Sequence, residues 1–133
     1  MRGERRSATR EFVNRLREGP LKSIGLRELV RVDGYADRIA KETNIAQVQL
    51  RKIYADLRHA LGLMKGGNPE KGLSHIWMLY PLLEYQCKRK NITEEFRDMM
   101  QGILENIERY NDRENIETVE KFMMALVAYS KKG

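Results

Sequence analysis

The chain has 133 residues, a formal net charge of +6, and 33% charged against 41% hydrophobic residues. That length suits one domain burying roughly two-thirds of the surface its unfolded chain would expose, so folding needs neither disulfides nor metal. The single cysteine, Cys87, excludes an internal bridge and fits a reducing cytoplasm; no 18-residue apolar run offers a membrane span, and Met1-Arg2-Gly3-Glu4-Arg5-Arg6 lacks the apolar stretch of a secretory signal.

Leu, Ile, Met, Glu, Lys and Arg dominate over Val and Thr, a helix-favouring composition. Residues 1–7 read as a basic arm and 8–133 as a helical bundle domain. A short helix from Ala8 to Glu18 presents Phe12, Val13 and Leu16, and Gly19-Pro20 stops it. Leu21 to Val32 is weakly helical. Asp33 then caps a helix to Glu42 with Tyr35, Ala36, Ile39 and Ala40 facing inward. Thr43 or Asn44 caps the next, where Leu50, Ile53, Tyr54, Leu57, Leu61 and Met64 recur at spacings of three and four.

Gly66-Gly67-Asn68-Pro69 forms the clearest loop. Beyond it, Lys71 to Lys90 predicts a helix burying Leu73, Ile76, Trp77, Tyr80, Leu83 and Cys87, kinked or split at Pro81. Thr93 caps a helix with Glu94 and Glu95 in its first turn, burying Phe96, Met99, Met100, Ile103, Leu104, Ile107 and Tyr110. The last helix starts near Asn115 and carries Ile116, Val119, Phe122, Met123, Leu126, Val127 and Tyr129. One member of each doublet, Met99-Met100 and Met123-Met124, is expected to reach out of the core. With no stretch of period two, the expected fold is an all-α, single-domain bundle of five to six helices.

Signatures of catalysis are missing. The sequence has no GxGxxG, phosphate loop, CxxC, HExxH or GxSxG. His59 and His75 fall on different predicted helices with no spacing that adds further ligands, so neither metal nor cofactor is expected. The informative feature is charge. Residues 1–66 hold 15 Lys+Arg against 8 Asp+Glu, whereas residues 67–133 hold 10 against 11 yet contain the densest basic run, Lys88-Arg89-Lys90. Arg51, Lys52 and Arg58 share the polar side of one helix, and Lys88, Arg89 and Lys90 end another. Together they predict a phosphate-binding strip blind to base sequence. The alternative is a DNA-binding helix-turn-helix over residues 39–53, with Asn44 in the turn and Gln47, Gln49 and Arg51 aimed at a major groove. Against it, the second helix stays apolar on one face through Met64.

Three segments carry a resemblance. They are Gln49-Leu50-Arg51-Lys52 with Tyr54 behind it, Pro81-Leu82-Leu83-Glu84-Tyr85-Gln86-Cys87-Lys88-Arg89, and Phe122-Met123-Met124-Ala125-Leu126-Val127-Ala128-Tyr129-Ser130-Lys131. In order and spacing they are similar to the small subunit of type III-A CRISPR effector (Csm) complexes, over about residues 26–132. One departure is Lys88, where that pattern has glycine. The resemblance implies a non-catalytic subunit stacked head to tail in several copies, with a dimer as one state open to the isolated chain. It further implies contact with a CRISPR RNA–target RNA duplex, mainly on the target backbone. Its partners would be ferredoxin-like backbone subunits and a large polymerase-like subunit.

Overall fold

The computed structural model describes residues 7–131. Its first helix, α1 (Ala8–Glu18), starts where the Ser7 hydroxyl accepts the Arg10 N–H. The remainder of the proposed basic arm, residues 1–6, lies outside the described residues. A 3₁₀ turn (Leu21–Ile24) leads into the five-residue α2 (Leu26–Val30), so the weakly helical stretch resolves into two short pieces. Gly25 between them has φ of 100°, a conformation that only glycine adopts without strain.

The helix α3 (Tyr35–Thr43) is followed by α4 (Gln47–Lys65). Two expected caps are corrected here. Asp33 does not cap α3; its own N–H is bonded by Asp37, and Gly34 holds the cap position. Neither Thr43 nor Asn44 caps α4. Thr43 donates back to the Ile39 carbonyl, while Asn44 ends α3 in the left-handed region at φ 50°. The first turn of α4 is instead satisfied from afar: Gln47 N–H donates to the Lys131 carbonyl at 2.9 Å, beside an isolated parallel bridge between Ala46 and Lys131.

The 20-residue α5 (Pro69–Lys88) is not split at Pro81, and proline at its first position needs no backbone donor. Next come α6 (Glu94–Arg109), capped by Thr93 as expected, and α7 (Arg113–Tyr129), capped by Asp112. Six helices have nine residues or more, α2 is shorter, and no strand occurs among the described residues. The fold is an all-α, single-domain bundle.

α7 is central, packing on α2, α3, α4 and α6, while α1 covers α6 and α3. Phe12 of α1 stacks on Phe122 of α7 with centroids 4.8 Å apart and touches the Tyr35 ring. Most of the expected core is buried, including both Met99 and Met100; that doublet does not reach out. The other does, with Met123 buried and Met124 62% exposed.

Two polar devices hold the bundle together. Glu42 at the end of α3 accepts from Ala8 N–H, Thr9 N–H and the Thr9 hydroxyl at 2.8–2.9 Å, lending a carboxylate to the N-terminus of α1. Buried Asn106 of α6 accepts from Leu21 N–H and donates to the Leu16 and Gly19 carbonyls. Its neighbour Asn115 accepts from Lys22 N–H and donates to Asn106 and the Tyr110 carbonyl. These two amides carry the chain from α1 into the 3₁₀ turn without leaving its backbone groups orphaned.

Candidate nucleic-acid interface

α4 and α5 form an antiparallel hairpin around the loop at residues 66–68. Its closeness follows from Gly72: a Cβ there would lie 2.9 Å from the Ala60 carbonyl oxygen and would collide with Met64. Farther along, the His59 and His75 rings meet edge to face, centroids 4.9 Å apart. That contact sets the register, so the first turns of α4 lie beside the C-terminal end of α5. Arg51 and Lys52 therefore share one end of the hairpin with Lys88, Arg89 and Lys90, offset by about 8 Å along its axis. Arg58 sits two turns farther along α4.

All six residues are exposed, and among the described residues none pairs with a carboxylate. They do not all share one face. Arg51, Arg58 and Lys65 recur every seventh residue and form one line along α4, while Lys52 is turned about 100° from Arg51. The line borders a groove of about 510 Å³ between α4 and α7, lined by Tyr54, Arg58, Lys65, Glu120, Lys121 and Met124. Lys65 pairs with Glu120 at 2.7 Å. Lys65 and Lys121 line this groove together with Glu117 and Glu120 and were missed in the sequence; the seven-residue spacing from Arg58 was the available signal for Lys65.

The end of α5 has its own logic. Lys90 N–H donates to the Cys87 carbonyl and Asn91 N–H to the Gln86 carbonyl, with Lys90 in the left-handed region at φ 64°. This is the Schellman ending, in which glycine is the usual residue at that position. A lysine there costs about 1 kcal/mol of backbone strain. The Arg89 guanidinium lies over the Tyr85 ring, 5.6 Å from its centroid, and donates to its hydroxyl at 3.3 Å.

Trp77 corrects the sequence reading: it is 53% exposed, not core. Its indole N–H donates to Glu108 at 3.0 Å, and the Tyr80 hydroxyl donates to the same carboxylate. Burial, then the Glu108 hydrogen bond, push the Tyr80 phenol well above its ordinary range. Residues 39–53 do span the end of α3, a left-handed turn at Asn44 and the start of α4, but the two helices have little contact with each other. Gln47 is also engaged inside the fold, donating from Nε2 to the Val127 carbonyl at 2.9 Å, and is not free to read a base.

Among the described residues no three His, Cys, Asp or Glu side chains group to hold a metal, and no helix is long and apolar enough to cross a membrane. The comparisons bear on residues 26–132, well over half of the chain, which match the family model described as Csm2 Type III-A. No curated protein and no solved structure matches.

Proposed function

We propose, from the premise that this chain belongs to the Csm2 family of type III-A systems and is thus a small subunit of that CRISPR complex, that it is a non-catalytic, sequence-blind RNA-backbone binder. Its ligand is the duplex of CRISPR RNA and target RNA, gripped mainly through phosphates of the target strand. The observation that carries the reading is the shared end of the α4–α5 hairpin, where Arg51 and Lys52 flank Lys88, Arg89 and Lys90 with no carboxylate partner among the described residues. Cations unpaired within the fold are free to neutralise phosphates, and RNA-guided complexes leave sequence to base pairing. Arg58 and Lys121 extend the surface along the α4–α7 groove, where Lys65 is taken up by Glu120 and Glu117 also lies.

Copies of the chain stack head to tail beside the ferredoxin-like backbone subunits and the large polymerase-like subunit. Exposed Met124 and Val48 are apolar groups available for such contacts. The test is anisotropy of a labelled RNA duplex across a salt series. Affinity should fall steeply with salt, and replacing Arg51, Lys52 and Arg89 with Ala should lower the log–log slope by about 2–3 with helicity intact. Unchanged binding would remove the assignment. Preference for one DNA sequence in competition would favour the helix-turn-helix reading instead.

A further inference from the structure

The outward line of α5 runs Lys71, Ser74, Met78, Pro81, Tyr85 and Lys88, at alternating spacings of three and four that hold one helix face. All six are exposed; Met78 is 66% and Tyr85 54% accessible, and Trp77 flanks them one position round the helix. The line has no carboxylate, because Glu84 is turned to α6, where it accepts from Arg97 and Gln101. Both aromatic rings are anchored, Trp77 at its edge through Glu108 and Tyr85 through Arg89, which bonds its hydroxyl and lies over one of its two faces. Anchoring removes rotamer freedom before any ligand arrives, which lowers the entropic cost of using the ring faces.

Ordered aromatic rings beside three cations, with acids excluded from the line, match the chemistry of single-stranded nucleic acid. A protein helix would find a poorer seam, interrupted by Ser74 and bounded by lysine at both ends. Trp77 and Tyr85 are eight residues apart, about 12 Å along the helix, against about 3.4 Å between successive bases of a duplex strand. Bases stacked inside a duplex are also closed to side chains, whereas unpaired ones can be splayed onto rings. Glu108 at the edge of Trp77 repels phosphate there, so the strand's charge meets the protein at the Lys88 end.

We infer that the outer face of α5 is a stacking platform for unpaired nucleotides of an RNA strand, with bases on Tyr85 and Trp77 and phosphates on Lys88, Arg89 and Lys90. This rests on the RNA-binding reading above and adds to it the ring faces of Tyr85 and Trp77, next to the Lys88, Arg89 and Lys90 that reading already uses.

The chain contains one tryptophan, so its intrinsic fluorescence reports on Trp77 alone. The full chain is titrated with oligoadenylate of about 12 nucleotides, with inorganic polyphosphate of equal charge, and with double-stranded RNA. Oligoadenylate should quench Trp77 and polyphosphate should not. Tyr85→Ala, its fold checked by circular dichroism, should weaken oligoadenylate binding about tenfold and duplex binding, which loses only the support of Arg89, far less. Equal responses to polyphosphate and oligoadenylate, or wild-type oligoadenylate affinity in Tyr85→Ala, would overturn the platform. So would a fluorescence change on raising protein concentration without RNA, with dimers in sedimentation, which would assign the face to a second copy. Duplex binding without a stacking response defeats only this inference; loss of all RNA binding defeats the broader reading as well.

Discussion

Two regions of this bundle treat their polar groups in opposite ways. Around α1, the 3₁₀ turn and the start of α7, polar side chains are used within the fold. Glu42 caps α1, Asn106 and Asn115 hold four backbone groups of the α1–3₁₀ link, and Lys22 pairs with Asp112 and Glu114. At the far end of the α4–α5 hairpin, Arg51, Lys52, Lys88, Arg89 and Lys90 have no carboxylate partner among the described residues, and Lys90 stands where the backbone prefers glycine. The first pattern builds stability and the second forgoes some of it. A region that keeps its charges unpaired and accepts strain is better explained by an external ligand than by folding.

Substitutions in the two regions should therefore separate stability from binding. The largest effect is expected for Asn106→Leu, which orphans Leu21 N–H and the Leu16 and Gly19 carbonyls and takes one partner from the Asn115 amide. A loss of about 3 kcal/mol or more should appear as a lower urea midpoint, with RNA affinity of the folded fraction unchanged. Gly72→Ala forces α4 and α5 apart and should cost about 1–3 kcal/mol. Because it also disturbs the hairpin that aligns the two basic groups, it should weaken RNA binding too, which Asn106→Leu should not.

A smaller, opposite effect is expected at Lys90. Lys90→Gly relieves the left-handed strain and should raise stability by about 1 kcal/mol, while reducing the salt slope of RNA binding by about 1. A variant both more stable and equally good at binding would break the comparison.

The smallest effect concerns pH. Burial alone would raise the Glu42 carboxyl, but the Thr9 and Ala8 backbone N–H groups and the Thr9 and Ser7 hydroxyls outweigh it and hold its pKa below the ordinary value. A depressed folded pKa gives stability that is full above the unfolded value of about 4.3 and is lost as pH falls through the folded one. Glu42→Gln should therefore flatten the acid limb of the stability profile and leave binding at neutral pH untouched.

Much of the fold was readable because apolar residues at spacings of three and four mark the faces of α4, α6 and α7, and Thr93 is a capping residue followed by two glutamates. Helix ends were less legible. Asn44 suits a left-handed C-cap as well as an N-cap, and the acceptor that satisfies Gln47 lies at Lys131, far along the chain. Trp77 was misplaced because α5 carries apolar residues on its outer face as well, so periodicity alone could not show which side met the core. The six basic residues were visible as exposed charges. That they divide between a line on α4 and the end of α5 depends on the hairpin register, which only packing determines. Asn106 was invisible, since a lone amide in an apolar stripe gives no sign of what it will bond.

The meeting of His59 with His75 offers a ruler for that register. They are the two histidines of the chain, so their ring protons form a small, separately observable set in a proton spectrum. Sliding α5 by one residue along α4 would shift one ring by about 1.5 Å and swing it through about 100°, which ends the contact. A single cross-relaxation peak between the two imidazoles thus reports whether any variant, or the RNA-bound chain, keeps its hairpin in step.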